Sequence, residues 1–220
     1  TAGGNSDGTG YGNFKYSVPS GFLAMCSGNL PIADAINPAE TDDNFPSQLF
    51  DAQLWTGDGN SGRSITISGA KKPSLSVIKQ RNSSNGWNVW TQGYNSGDYD
   101  SFGEFNSDGA WNANQGSNGP YTADPTASAL TLTAYGQVNG SSNTYVNYRW
   151  VANGGTTSSD ASGDITSVGE VDPSGCFSVV TYTGSGTGNQ TVAHHLSQAP
   201  IAAIFKRTDG TKDWMFTAGT

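Results

Sequence analysis

The chain has 220 residues, 30 of them glycine, with two methionines, ten Lys plus Arg and a formal net charge of −8. That is poor material for helices, and the aromatic content suits packing between short strands, so the composition points to an all-β protein of one or two domains. An acidic chain without a basic cluster is unsuited to nucleic acid or to docking on an anionic membrane, and no apolar run approaches the roughly 20 residues of a membrane helix.

Residues 1–30 begin as loop and then predict two short strands, 13–18 and 21–26, around Pro19-Ser20-Gly21. Two strands cannot bury a face by themselves and must pack on something else. Residues 31–48, with three prolines and four acidic residues, read as a linker. The stretch 49–155 reads as a full β-module. Phe50, Ala52 and Leu54 alternate with Asp51, Gln53 and Trp55. A glycine turn at 57–62 leads to Ile65 and Ile67. Pro73 then opens a strand at 75–80, and 87–91 forms the next. Residues 92–124 show no period, and a loop of that length is usually functional or flexible. Two alternating runs, 129–135 and 144–151, flank Asn139-Gly140 and predict a hairpin. Residues 156–175 read as a second linker with a short strand at 165–171. Residues 176–220 open a second module that lacks any counterpart of 129–151.

The second module is read from a repeat. At a shift of 127 positions, Phe50, Thr56, Gly57, Gly59, Pro73, Lys79 and Trp87 meet Phe177, Thr183, Gly184, Gly186, Pro200, Lys206 and Trp214, without a gap. The matches fall on turn glycines, a proline and strand-end aromatics, the types a β-module demands. The expected fold is therefore all-β: tandem β-sandwich modules, jelly-roll-like, with Gly/Ser/Asn-rich loops. The incomplete ends lead us to expect either a piece of a longer polypeptide or neighbouring subunits that complete both ends.

Several motif matches lack the flanks their chemistry needs. Gly57–Gly62 matches G-x-G-x-x-G, but a strand rather than a helix follows, so a dinucleotide cofactor is not expected. Gly4–Gly8 matches G-x-S-x-G without the strand, helix and histidine of a nucleophile elbow. His194 and His195 are adjacent, and on a strand they would face opposite ways. Asp98, Asp100, Glu104 and Asp108 do not fit an EF-hand, because Phe102 and Gly109 stand where oxygen ligands belong; an irregular calcium site stays open beside a solvated acidic loop. No catalytic residue, metal set or cofactor emerges. Cys26 and Cys176 are too few for a disulfide framework and are expected free and buried.

The ligand candidates are the aromatics of the long loop, Tyr94, Tyr99, Trp111 and Tyr121, interleaved with Asn, Asp and Ser. Aromatic faces stack on the C–H faces of sugars while amides take the hydroxyls. Trp87 and Trp90 read first as core or subunit contact.

GYGNFKYSVPSGFLAMCSGNLP (residues 10–31) resembles the closing strands of the SPRY-like domains of marine phage fibre proteins. KPSLSVIKQR (72–81) is similar to the P-D-L-V-W-I-K-x-R strand of the module that follows such domains. LFDAQLWTGDG (49–59) and SSNTYVNYRWVANGG (141–155) fit its opening and closing strands. The chain departs from that pattern in 93–120, where no F-D-S-V-R-G segment stands. The resemblance implies a virion fibre or appendage protein, homo-oligomeric and by preference trimeric, with other virion proteins as partners; it does not imply an enzyme, and no enzymatic activity is expected. Contribution to host-surface attachment, with a host-surface glycan as a further partner, is the accompanying expectation. A lectin or glycan-cleaving spike is the alternative reading.

Overall fold

Side-chain alternation is realised in the first strand. Phe50, Ala52 and Leu54 lie on one face of β1 (Phe50–Thr56), and Trp55 on the other face is buried. The computed structural model describes residues 5–7, 9–14, 16–25, 49–67, 72–92, 99–112 and 115–219. They fall into two units, Thr1–Asp43 and Asn44–Thr220.

In the larger unit β1 is followed by β2 (Arg63–Thr66), β3 (Leu75–Gln80), β4 (Trp87–Thr91), β5 (Gly103–Glu104) and β6 (Ala129–Leu132). A single helical turn, α1 (Gly136–Asn139), precedes β7 (Thr144–Trp150). Then come β8 (Ser158–Asp160), β9 (Ser167–Val171), β10 (Ser178–Tyr182), β11 (Ala202–Phe205) and β12 (Met215–Ala218). The protein is all-β, and its main body is sandwich-like. A five-stranded antiparallel sheet of order β1-β7-β3-β4-β5 packs on the two-stranded sheet β2-β6. Between them lie Trp55, Ile78, Trp90 and Tyr145 from the large sheet, Ile65, Leu130 and Leu132 from the small one, Tyr121 from a loop and Val138 from α1. Each of these side chains contributes about 1.5–3 kcal/mol by leaving water. No described helix is long and apolar enough to cross a membrane.

The hairpin expected at Asn139-Gly140 does not form. β6 pairs with β2, and β7 inserts between β1 and β3. Gly140 has φ −58, outside the left-handed region that a two-residue Asn-Gly turn requires. The Asn139 side chain is occupied elsewhere: its amide donates to Asp58 Oδ1 at 2.8 Å and to the Asn60 carbonyl at 2.9 Å. The Gly140 N–H donates to the Tyr145 hydroxyl at 2.8 Å. Distant polar partners thus outcompete the local turn signal.

Residues 156–175 are not a linker either. β8, β9 and β10 form a three-stranded antiparallel sheet. Buried Glu170 holds it to the end of β7 by accepting the N–H groups of Asn153 (3.3 Å) and Gly155 (2.9 Å). Asp172 closes the following turn by accepting the N–H groups of Ser174, Cys176 and Phe177. That turn leaves Cys176 free and exposed rather than buried.

The repeat is reproduced in one hairpin. β11 and β12 pair in the register of β3 and β4 shifted by 127: Val77↔Val89 becomes Ile204↔Phe216, and Ile78↔Asn88 becomes Phe205↔Met215. The flanking lysines act alike. Lys79 Nζ donates to the Ser83 carbonyl, and Lys206 Nζ to the Lys212 carbonyl, each closing its own hairpin loop. The opening strands differ, because β1 pairs with β7 whereas β10 pairs with β9.

In the smaller unit, neither the 13–18 nor the 21–26 strand is present among the described residues; Cys26 lies outside them. An isolated antiparallel bridge joins Asn5 to Phe14. The buried Asp7 carboxylate accepts the N–H groups of Thr9, Tyr11 and Ala24 at 2.9, 3.0 and 2.6 Å. A side chain thereby takes the Ala24 N–H that a strand ladder would have used. The proposed linker 31–48 lies outside the described residues.

Candidate functional site

Cross-strand partners share a face, so the register sorts the large sheet into two surfaces. Trp55, Tyr145, Ile78 and Trp90 face the sandwich interior. The outer face carries Phe50, Ala52 and Leu54 from β1, Val146, Tyr148 and Trp150 from β7, Leu75 and Val77 from β3, and Trp87 and Val89 from β4. Part of this face is covered. Phe105, Trp111 and Trp214 pack over Val77 and Val89. Trp214 meets Phe105 at 4.6 Å between ring centroids and Trp111 at 6.4 Å, and its indole N–H donates to the Glu104 carbonyl at 2.8 Å. Trp111 can lie there because position 103 is glycine: a Cβ on Gly103 would meet the Trp111 ring at 2.7 Å.

The rest is open. Phe50 and Tyr148 stand 6.5 Å apart with ring planes 8° from parallel, and Trp87 lies 6.5 Å beyond Tyr148 at 20°. Trp150 joins Phe50 at 5.0 Å and Phe177 at 6.5 Å. Between these rings is a shallow depression of about 340 Å³ lined by Val77, Trp87, Phe105, Asn106, Tyr148 and Trp150. Asn106 is held at its rim, its Oδ1 accepting the Trp87 N–H at 2.9 Å. The chemistry of the depression is that of flat apolar faces beside an amide and a phenol.

A second, more polar depression of about 380 Å³ is lined by Asp160, Ser162, Gly163 and residues 191–196. Both histidines reach it, contrary to the strand geometry expected for them. The segment is not a strand, and His195 takes a left-handed φ of 61. His195 Nε2 lies 3.0 Å from Ser167 Oγ, but Ser167 is buried and its hydroxyl donates to the Ala193 carbonyl at 2.9 Å. The serine proton is thus committed, which leaves the histidine as donor in that contact and gives no activated nucleophile. The Ser162 hydrogen bonds, and to a lesser extent the two histidines, hold the Asp160 carboxyl below its usual range. Among the described residues no group of three or more His, Cys, Asp and Glu could hold a metal ion. Asp100 accepts the Gly116 N–H instead, and Asp98 lies outside the described residues.

A sequence profile for a domain of unknown function, DUF7483, matches residues 46–220. The chain belongs to the DUF7483 family. No curated protein and no solved structure matches it.

The four aromatics singled out from the sequence are not brought together in this DUF7483 chain. Tyr121 is fully buried, its hydroxyl 2.5 Å from Ser76 Oγ, and burial raises its phenol far above the ordinary value. Trp111 is buried beneath Trp214. Tyr99 is exposed in a turn, and Tyr94 lies outside the described residues. The open aromatic surface of the DUF7483 sheet comes instead from strand residues. One sequence signal could have located it: 144–150 carries aromatics on both alternating faces, and a strand can turn only one face to a given core.

Proposed function

We propose that the chain is a non-enzymatic structural module of an extracellular appendage, of the phage-fibre kind its sequence resembles. In this reading it sits on the virion with copies of itself and other virion proteins. Its open aromatic face holds the ring faces of a host-surface saccharide. One observation carries the reading: Phe50, Tyr148 and Trp87 form a near-parallel row on the open face of a rigid five-stranded sheet. Apolar sugar faces stack on such rings, and Asn106 and Tyr148 supply hydrogen-bonding atoms at the same place. A platform on strands is also better ordered than one on a loop.

The test is a screen of the purified protein against host-surface polysaccharides and their oligosaccharides, repeated with Trp87→Ala. Binding that weakens at least about tenfold in the variant supports the reading, since one stacked ring carries on the order of 1.4 kcal/mol or more. Binding that is indifferent to Trp87, or absent throughout, defeats it. Release of reducing ends from the same polysaccharides would favour the glycan-cleaving alternative.

A further inference from the structure

The duplication lengthens the aromatic row. Phe50 opens β1, and its counterpart in the repeat is Phe177, just ahead of β10. Both stand against one tryptophan: Trp150 lies 5.0 Å from Phe50 and 6.5 Å from Phe177 between ring centroids. The order is therefore Trp87, Tyr148, Phe50, Trp150, Phe177, with steps of 6.5, 6.5, 5.0 and 6.5 Å. Phe177 is fixed in its place. Its N–H donates to the carboxylate of buried Asp172, and its carbonyl accepts the Asp172 N–H at 3.0 Å.

We infer that this face takes a linear, uncharged saccharide of at least three units, laid across the strands, with Trp150 and Phe177 as further subsites. The inference rests on the saccharide reading above and gives that ligand a length and a charge. Length follows from the spacing. Trp87, Tyr148 and Phe50 belong to β4, β7 and β1, so the row crosses the strands, passing Val77 of β3. A sugar ring stacks on one aromatic face at a time, and three faces in a row need three linked units. A single sugar would use one ring and leave the others uncovered. Past Phe50 the row turns, Trp150 standing at 50° to it and Phe177 at 29° to Trp150, so a longer chain twists as it follows. Charge follows from the lining. Among the described residues, none that lines the depression is charged. Lys79 is the cross-strand partner of Trp87, and its ammonium is engaged by the carbonyls of Gln80 and Ser83, each at 2.7 Å. An acidic sugar would bring its anion to apolar rings without a counter-charge, on a chain of net charge −8. Neutral hydroxyls find the Tyr148 phenol and the Asn106 amide instead.

The test is titration calorimetry of the 220-residue chain with gluco-, manno- and galacto-oligosaccharides of one to six units, and with polygalacturonate and hyaluronan as acidic polymers. Affinity is expected to rise at least about tenfold from one unit to three, and the acidic polymers to bind at least about tenfold more weakly than the best neutral chain. Phe177→Leu keeps an apolar side chain against Trp150 and removes the flat ring; Phe50→Leu does the same at the centre of the row. Phe177→Leu is expected to remove the gain from three units to five while leaving the three-unit affinity within about twofold, which also shows the variant to be folded. Phe50→Leu is expected to weaken both lengths. If no sugar binds, the saccharide reading itself fails, and this inference with it. If sugars bind with an affinity that ignores length, or the acidic polymers bind more tightly, the saccharide reading stands and this inference is overturned. A five-unit advantage that survives Phe177→Leu removes Phe177 from the site and overturns the extended footprint.

Discussion

The Tyr121 phenol and the Ser76 hydroxyl meet at 2.5 Å in the sealed centre of the sandwich. Ser76 in turn donates to Asn147 Oδ1 at 2.8 Å, so the tyrosine is the donor and the three groups form one directed chain. The order of effects follows. Tyr121→Phe removes the terminal donor and is expected to cost about 0.5–1.5 kcal/mol. Ser76→Ala strands both a buried phenol and a buried amide oxygen, and is expected to cost about 1–3 kcal/mol. Urea denaturation of the two variants checks the ranking. A Ser76→Ala protein more stable than Tyr121→Phe contradicts the assigned direction.

Asn139 is the second polar anchor. Fully buried, it bonds Asp58 and Asn60 and accepts from the Arg63 guanidinium at 3.2 Å. Asn139→Ala is expected to cost about 1–3 kcal/mol, because Asn60 and Asp58 lose partners and a small cavity opens. Asn139→Asp is expected to be no better, since it places a second carboxylate against Asp58. Thermal denaturation of both variants measures this. A variant within about 0.5 kcal/mol of the parent, the range of an ordinary surface substitution, would show the network to be dispensable.

These two networks also mark how far the sequence could be read. The strands β1, β3, β4 and β7 were legible because side-chain alternation and Pro73 are local signals. The second hairpin was legible because Lys206 and Trp214 repeat Lys79 and Trp87. The partner of β6 was not, because Asn139-Gly140 carries a strong local turn signal while the atoms that decide its conformation belong to Asp58 and Asn60, far back in the chain. In the sheet at 158–182 the strand expected at 165–171 stands as β9, but β8 and the pairing of the three strands escaped for a similar reason. Ser, Gly and Asp read as linker, and the buried role of Glu170 depends on N–H groups beyond the end of β7. The loop aromatics were singled out because composition there was suggestive, and the burial of Tyr121 and Trp111 was not legible from it. Which tyrosine is sealed and which is open depends on the packing of one face over another, as the contrast of Tyr121 with Tyr148 shows.

The aromatic row gives a graded expectation. Trp87 lies at the edge of the platform and is 36% exposed, so Trp87→Ala should cost well under the about 3–5 kcal/mol of a buried tryptophan while removing ligand affinity. Tyr148→Phe retains the ring between Phe50 and Trp87 and should keep most of the affinity. Titration calorimetry with any saccharide that binds separates the two variants. Equal losses in both would point to the phenol rather than to stacking.

The last expectation concerns acid. Asp164 accepts the N–H of Thr191 at 2.9 Å and its hydroxyl at 2.8 Å, and its own N–H donates to Thr191 Oγ1 at 3.0 Å. This clamp sits beside the bridge that joins Ile165 to Val192. The Thr191 N–H, followed by the Thr191 hydroxyl, holds the Asp164 carboxyl below its ordinary value of 3.8. A carboxyl depressed in the folded state stabilises that state fully above the unfolded value, and the contribution drains away as pH falls through the folded one. The clamp is therefore intact at neutral pH and loosens only below 3.8. Carboxyl titration of Asp164 by NMR should give a midpoint under that value. Thr191→Ala, which removes the hydroxyl but keeps the amide, should raise the midpoint only part of the way back, because the backbone bond is the larger cause. A parent midpoint at or above 3.8, or full recovery in Thr191→Ala, would show that the backbone amide is not what holds this carboxylate.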